Sequence, residues 1–335
     1  MQELIEQLCG PACAGRRPGT KGGDAARAIV MQAFRDVGLD PYEQRVPRCG
    51  GANVLAKIRG DVERYVLVGA HFDHLGTVGR DIYHGADDNA AAVAVLVEVA
   101  RAIARERTGR GVIIAAFDGE EPPWFLTGAM GSREFVRTNR DPIDFMVCMD
   151  LVGHRFGPAV VPDEVGASLF ALGAERSRAT YDLVASLKRA EDGVIVRPAD
   201  AEIIPPLSDY EAFWDRRIPF LFLSAGRSRV YHTPEDTPDK LDYPKIAATA
   251  RWLTRFVRAS RTRDATEFVD GRLDRGTLDE VDEIVTALAQ LSPEAAAARP
   301  HVQQLRAACN KAGDLPEARR GELAWFLGQL EARLA

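Results

Sequence analysis

The chain has 335 residues, 46% of them hydrophobic and 27% charged, which is ordinary for a soluble globular protein with a substantial core. Its 43 basic and 49 acidic residues leave a net charge of −6, so nothing points to nucleic acid or an anionic membrane as a partner. No apolar stretch reaches membrane-spanning length.

The opening MQELIEQLCG lacks the basic and apolar regions of a signal peptide, so a cytoplasmic location is the default expectation. Five scattered cysteines (Cys9, Cys13, Cys49, Cys148, Cys309) argue against a disulfide framework and read as free thiols. Residues 22–37 carry helical spacing at Ala25, Ile29, Val30 and Phe34, stopped by Gly38. Residues 53–58 and 65–70 read as strands, the second almost wholly apolar and so central in a sheet. The Ala/Val/Leu run of 90–104 is too long for a strand and predicts a buried helix. Residues 111–117 and 145–149 are again short buried strands, with a helix over 131–137 between them. Strands over 194–197 and 219–224 follow, then an amphipathic helix over 243–261.

This alternation predicts a three-layer α/β/α domain over residues 1–263, with a central mixed, mostly parallel sheet. Ligands of such sheets gather beyond the C-terminal ends of the strands. From 264 to 335 the composition changes: 278–291, 295–313 and 319–334 read as helices with no strand between them, a C-terminal helical subdomain. Its apolar stripe of Val281, Ile284, Val285 and Leu288 is expected to be packing.

Five separated stretches carry metal-competent side chains: His71-Phe72-Asp73, Asp87-Asp88, Glu120-Glu121, Asp150 and His232. Divalent metals take carboxylate oxygens and imidazole nitrogens, and a two-ion site needs one carboxylate that touches both. His71 follows an apolar strand, with Asp73 placed to accept its second ring N–H; by spacing alone His74 competes with it as a ligand. In GADDNA one acid can cap the following helix. Two adjacent carboxylates there are unfavourable without a cation, and Asp87 is expected to be the bridge. In FDGEE, adjacent glutamates after a buried strand need neutralising, one by a metal and its neighbour by a proton it can shuttle. Asp150 ends an apolar run, and His232 lies in a Pro-punctuated polar loop.

In this order, together with GRRPGT, AHFDHLG, DGEE, Gly131-Ser132, SDYEAF and YHTPEDTPDKLD, the set resembles one zinc-dependent aminopeptidase family. It contains bacterial leucine aminopeptidases, glutamate carboxypeptidase and glutaminyl cyclase. The resemblance implies two Zn²⁺ per chain, one held by His71 and Asp150 and the other by Glu121 and His232, with Asp87 bridging. It also implies Glu120 as general base, Asp73 orienting His71 and a cis peptide between Asp87 and Asp88. The implied reaction is attack of a metal-activated water on the N-terminal peptide bond.

Three departures accompany the resemblance. Residues 122–130 (PPWFLTGAM) are inserted after Glu121 and are expected to reshape the substrate pocket. Tyr210 stands where relatives carry histidine, either as a donor to the developing oxyanion or as packing, and Ala91-Ala92 replace a usual Ser-Gly. The leading expectation is a dizinc aminopeptidase acting on a peptide or small amide. Its rivals are a one-zinc glutaminyl-cyclase-like acyltransferase, an amidase or carboxypeptidase on the same fold, and a non-catalytic module. The last is disfavoured because every motif keeps its metal-competent residues.

Overall fold

The structure, a computed structural model, describes residues 1–264 and 267–334. The expected boundary at 263/264 falls beside residues 265–266, which with residue 335 lie outside the described residues. Helices α1 (Gln2–Leu8) and α2 (Lys21–Asp36) lead into strands β1 (Tyr42–Val46), β2 (Gly51–Ile58) and β3 (Val62–His71). A hairpin of β4 (Thr77–Val78) and β5 (Asp81–Ile82) precedes α3 (Ala91–Ile103), β6 (Arg110–Phe117), α4 (Gly131–Thr138) and β7 (Ile143–Met149). Then come α5 (Asp163–Gly166), β8 (Ser168–Leu172), α6 (Thr180–Leu187), β9 (Ile195–Ala199) and α7 (Glu211–Trp214). They are followed by β10 (Phe220–Ser224), α8 (Tyr243–Thr262), α9 (Asp274–Leu288), α10 (Pro293–Ala308) and α11 (Glu317–Leu334).

Eight strands form one mixed sheet in the order β1-β2-β6-β3-β7-β10-β8-β9. At its centre β6, β3, β7 and β10 run parallel, and β2 and β8 pair antiparallel on either side of them. The period of two divides each central strand between two cores. In β3, Val66, Val68 and Ala70 join a cluster with α2, α3 and α8, while Leu67 faces Phe135 of α4 and Phe213 of α7. Both faces are dry, which is why these strands read as continuous apolar runs rather than alternating ones. The result is the expected three-layer α/β/α architecture.

Two strands of this sheet were not visible in the sequence, nor was the short β4–β5 hairpin. β1 (YEQRV) sits at the sheet edge with mostly exposed polar side chains, and β8 (SLFAL) owes its pairing to β10 and β9. β9 contains Pro198, tolerated because this strand is the opposite edge of the sheet.

Helices α9, α10 and α11 pack on one another through Leu278, Val281, Val302, Leu305 and Leu323, and Ile203 of the α/β part joins the same cluster. Ile284, Leu288 and Leu334 reach a second cluster with Phe156 and Val165. Val281, Ile284, Val285 and Leu288 are all buried, as expected of a packing stripe. All five cysteines are free, and no helix among the described residues is long and apolar enough to cross a membrane.

Candidate metal centre

The C-terminal ends of the parallel strands open onto one rim, and the site is built there. His71 is the last residue of β3; Glu120 and Glu121 lie just past β6, Asp150 follows β7, and His232 lies in the segment after β10. The fifth contribution comes from the turn of residues 86–90 that feeds α3. Its backbone is not helical at Asp88 (φ −108°, ψ 84°) or Asn89 (φ −140°, ψ 31°).

Two groups of ligand atoms form, His71–Glu120–Asp150 and His74–Asp88–Glu121, the atoms within each lying within 4.8 Å of one another. The Asp88 carboxylate joins them. Its Oδ1 is 3.4 Å from His71 Nε2, and its Oδ2 is 3.1 Å from His232 Nε2. His71 Nε2 is also 3.4 Å from Asp150 Oδ1 and 3.9 Å from Glu120 Oε2. His232 Nε2 is 3.1 Å from Glu121 Oε2, while His74 Nδ1 approaches the other Glu121 oxygen at 2.6 Å. Thus His71 and His74, competitors by spacing, sit in different groups.

The structure corrects the assignment of Asp87. Its carboxylate turns away from both groups, accepts the Gly153 N–H at 2.7 Å and lies 2.6 Å from His154 Nδ1. The carboxylate shared by the two groups is that of Asp88. Likewise the cis peptide is one bond further on, between Asp88 and Asn89. Tyr210 is packing: it is fully buried, stacked 4.8 Å from Phe220 and 4.7 Å from Phe222, and its hydroxyl accepts the Leu207 N–H. Asp73 lies 3.6 Å from His71 Nδ1, but its carboxylate also accepts the backbone N–H groups of Glu120 (3.0 Å) and Glu121 (3.2 Å), so it braces the glutamate turn as well.

Three supports were missed in the sequence. Asp236 accepts the backbone N–H groups of Asp87 (2.9 Å) and Asp88 (3.1 Å) and so holds the acidic turn from a segment nearly 150 residues away. Arg16, buried in GRRPGT, spends its guanidinium on the carbonyls of Leu8, Phe72, His84, Gly85 and Asp88. That ties the His71 loop to the Asp88 turn, and only a planar five-donor fork can span such a set. Tyr231 stacks on His232 with ring centroids 3.9 Å apart. The insertion 122–130 forms turns that are exposed at 122–123 and 126–128 and buried at Ala129 and Met130, and its half-buried Trp124 lies under Arg17, 5.1 Å from the guanidinium.

Crowding of acids sets the electrostatics. Burial lifts the Glu120 carboxyl well above its usual range, with Asp150 and Glu121 adding to the rise against the opposing charge of His71. Burial, reinforced by Glu121, pushes Asp88 to about 7. For Glu121 burial is outweighed by His74 and His232, and its carboxyl falls well below the usual range. His232 is driven the other way: burial is overcome by Asp88 and Glu121 on either side, and it rises to about 10. His232 Nε2, though 3.1 Å from oxygens of both acids, donates a hydrogen bond to neither, and the buried His74 Nε2 is also without a partner. A ring nitrogen aimed between two carboxylates without bonding either is what a cation-binding donor set requires, so the residues present fit divalent metal.

The comparisons agree with this geometry. Residues 53–257 match the model of peptidase family M28, and every residue of the two groups lies inside that span. The uncharacterised protein YfbL of Escherichia coli is 28% identical over 65% of this chain and 74% of its own length. The glutaminyl-peptide cyclotransferase of Drosophila melanogaster is 24% identical over 72% of this chain and 75% of its own. In fold, the chain is similar to the Legionella pneumophila LapA aminopeptidase, with a TM-score of 0.65 at 17% identity over 78% of this chain and 72% of that one. With more than half of its length matched, the chain belongs to peptidase family M28, the zinc-dependent metallopeptidases.

Proposed function

We propose that this protein is an aminopeptidase that holds two zinc ions and hydrolyses the N-terminal peptide bond of peptides. The observation that carries the reading is the Asp88 carboxylate, one oxygen 3.4 Å from His71 and the other 3.1 Å from His232. A single acid shared by two ligand sets is the requirement of a paired-ion site. His71 and Asp150 would hold one ion and Glu121 and His232 the other, with His74 fixing the Glu121 carboxylate through its 2.6 Å contact. Bound zinc supplies Lewis acidity toward the scissile carbonyl and makes a water acidic near neutral pH.

The chain's own groups do the rest. Glu120, buried at the rim and braced through its backbone by Asp73, takes the proton of the attacking water and passes it to the departing amine. The acids crowded at this rim favour a free α-amine on the substrate, which restricts cleavage to single N-terminal residues.

The second reading, a one-zinc cyclotransferase acting on N-terminal glutamine, is favoured by the similarity to the Drosophila cyclotransferase. Metal content and two assays separate the readings. The aminopeptidase should carry two zinc ions per chain and release chromogenic amine from aminoacyl anilides. Its Glu120→Gln variant should keep both ions and lose roughly 10²–10⁴-fold in turnover. One ion per chain with cyclisation of a glutaminyl peptide, or full activity in the glutamine variant, would overturn it.

A further inference from the structure

A cavity of about 390 Å³ opens beside Asp150, within the usual size of a small-ligand pocket. Asp150, Ser224 and Tyr231 stand at its metal-centre end, Tyr231 being the residue stacked on His232. The body of the cavity is apolar, made by Leu151, Phe170, Leu172, Ile203, Ile204 and Phe222. Its other charged groups are already engaged. Asp200 accepts from Arg320 and from the Leu273 N–H, and Arg227 is paired with Glu331. The charged groups away from Asp150 are thus held by protein partners, and residues 122–130 take no part in the wall.

A further part of the wall comes from α11, outside the segment that the family model matches. Ala324, Leu327, Gly328 and Glu331 recur at the spacing of one helix face and all line the cavity. Leu323 and Phe326 are buried in the cluster of the C-terminal helices, which Ala324 and Leu327 also touch, while Gly328 and Glu331 line the cavity without joining it. The helix is pinned at both ends of the stripe. Arg320 reaches Asp200 (2.9 Å) and Asp274 (3.0 Å), and Glu331 accepts from Arg227 Nη2 (2.7 Å) and the Arg227 N–H (3.0 Å).

We propose that α11 is the gauge of substrate choice: it closes an apolar side-chain pocket beside Asp150, and Gly328 leaves the room that admits bulky apolar N-terminal residues such as leucine and phenylalanine. This rests on the aminopeptidase reading above. A Cβ added at Gly328 meets nothing within 4 Å, so a side chain there starts in open space at the cavity wall. Gly321, on the same helix, is equally free of neighbours but does not line the cavity. It provides a matched control.

The test compares the zinc-loaded wild type, Gly328→Phe and Gly321→Phe on phenylalanyl, leucyl and alanyl anilides, with calorimetric binding of free L-phenylalanine and L-alanine. Wild type should prefer the bulky residues over alanine by at least about 50-fold in kcat/KM, as several buried methylenes dictate. Gly328→Phe should lose roughly 10-fold or more on them, mainly through KM, and change less than about 3-fold on alanine. Gly321→Phe should match wild type. No preference for bulky residues, or a Gly328→Phe variant that affects all three substrates alike, overturns the proposal while the aminopeptidase reading stands. If no anilide is cleaved, that reading falls and the calorimetry decides the pocket. Phenylalanine binding lost only in Gly328→Phe supports it, and no binding to wild type overturns it.

Discussion

Asp87 and Asp88 are adjacent, yet the non-helical backbone at Asp88 sends their carboxylates in opposite directions. Asp87 supports structure. Through His154, whose carbonyl accepts from the buried Lys245 ammonium at 2.8 Å, it links the acidic turn to the start of α8. Asp88 is shared by the two ligand groups, the place of the proposed ion pair. Asp88→Asn should therefore bring zinc content below two per chain and cut activity on the order of 100-fold or more, with little change in the metal-free urea midpoint. Asp87→Asn should keep both ions and lose about 1–3 kcal/mol of stability from its charged hydrogen bonds. Elemental analysis beside urea unfolding reads both outcomes; the reverse pattern would return the bridge to Asp87. At this scale the sequence is ambiguous for a plain reason. Neighbouring residues in an irregular turn have no fixed relative direction, and Asp236, which sets this one, lies far along the chain.

Among the elements, the buried strands and long helices were legible because burial on both faces leaves an unmistakable apolar run, as in residues 111–117 of β6 and 91–103 of α3. β1 and β8 were not, since their strand character comes from partners rather than from their own pattern. The elements are also tied by charge. Asp144 at the start of β7 accepts from Arg64 of β3 (2.6 Å) and Arg110 of β6 (2.6 Å), and Arg110 continues to the Arg263 carbonyl after α8. Burial raises the Asp144 carboxyl, but the two guanidinium groups outweigh it and hold it below the ordinary range. A depressed carboxyl stabilises the fold fully above its unfolded value near pH 4, and the contribution is lost as the pH falls through the folded value. Asp144→Asn should cost on the order of 3 kcal/mol at pH 7, because it strips the charge opposite a buried arginine. The gap between variant and wild-type urea midpoints should be constant from about pH 5 to 8 and shrink below about pH 4. A gap unchanged at pH 3 would discount the pairing.

Over the whole molecule, four acids (Asp88, Glu120, Glu121 and Asp150) lie buried in one cup, an arrangement that favours bound cations over the metal-free chain. Zinc at about 1,000 times its dissociation constant would add roughly 4 kcal/mol per site by mass action. Chelation should accordingly lower the melting temperature on the order of 5–10 °C and abolish activity, both restored by added zinc. An unchanged melting temperature after the metal is shown to have left would mean that the cup does not depend on ions. The C-terminal helices belong to this scale too. Their apolar stripe announced packing in the sequence, but that α11 would also present Leu327 and Gly328 to a cavity beside Asp150 depends on where the core receives it.

From residue types and periodicity alone came the layered fold, the rim on which ligands gather and the set of acids and imidazoles that meet there. Those follow from local rules, since burial and side-chain alternation are written along the strand itself. Only the tertiary structure decided which of two adjacent aspartates is shared by the two ligand groups, that Tyr210 is buried packing, and that α11 walls the cavity. Each of those outcomes is a direction in space, and it is set by groups that the chain brings together from more than sixty residues apart, or by stacking against strands that the local sequence does not name.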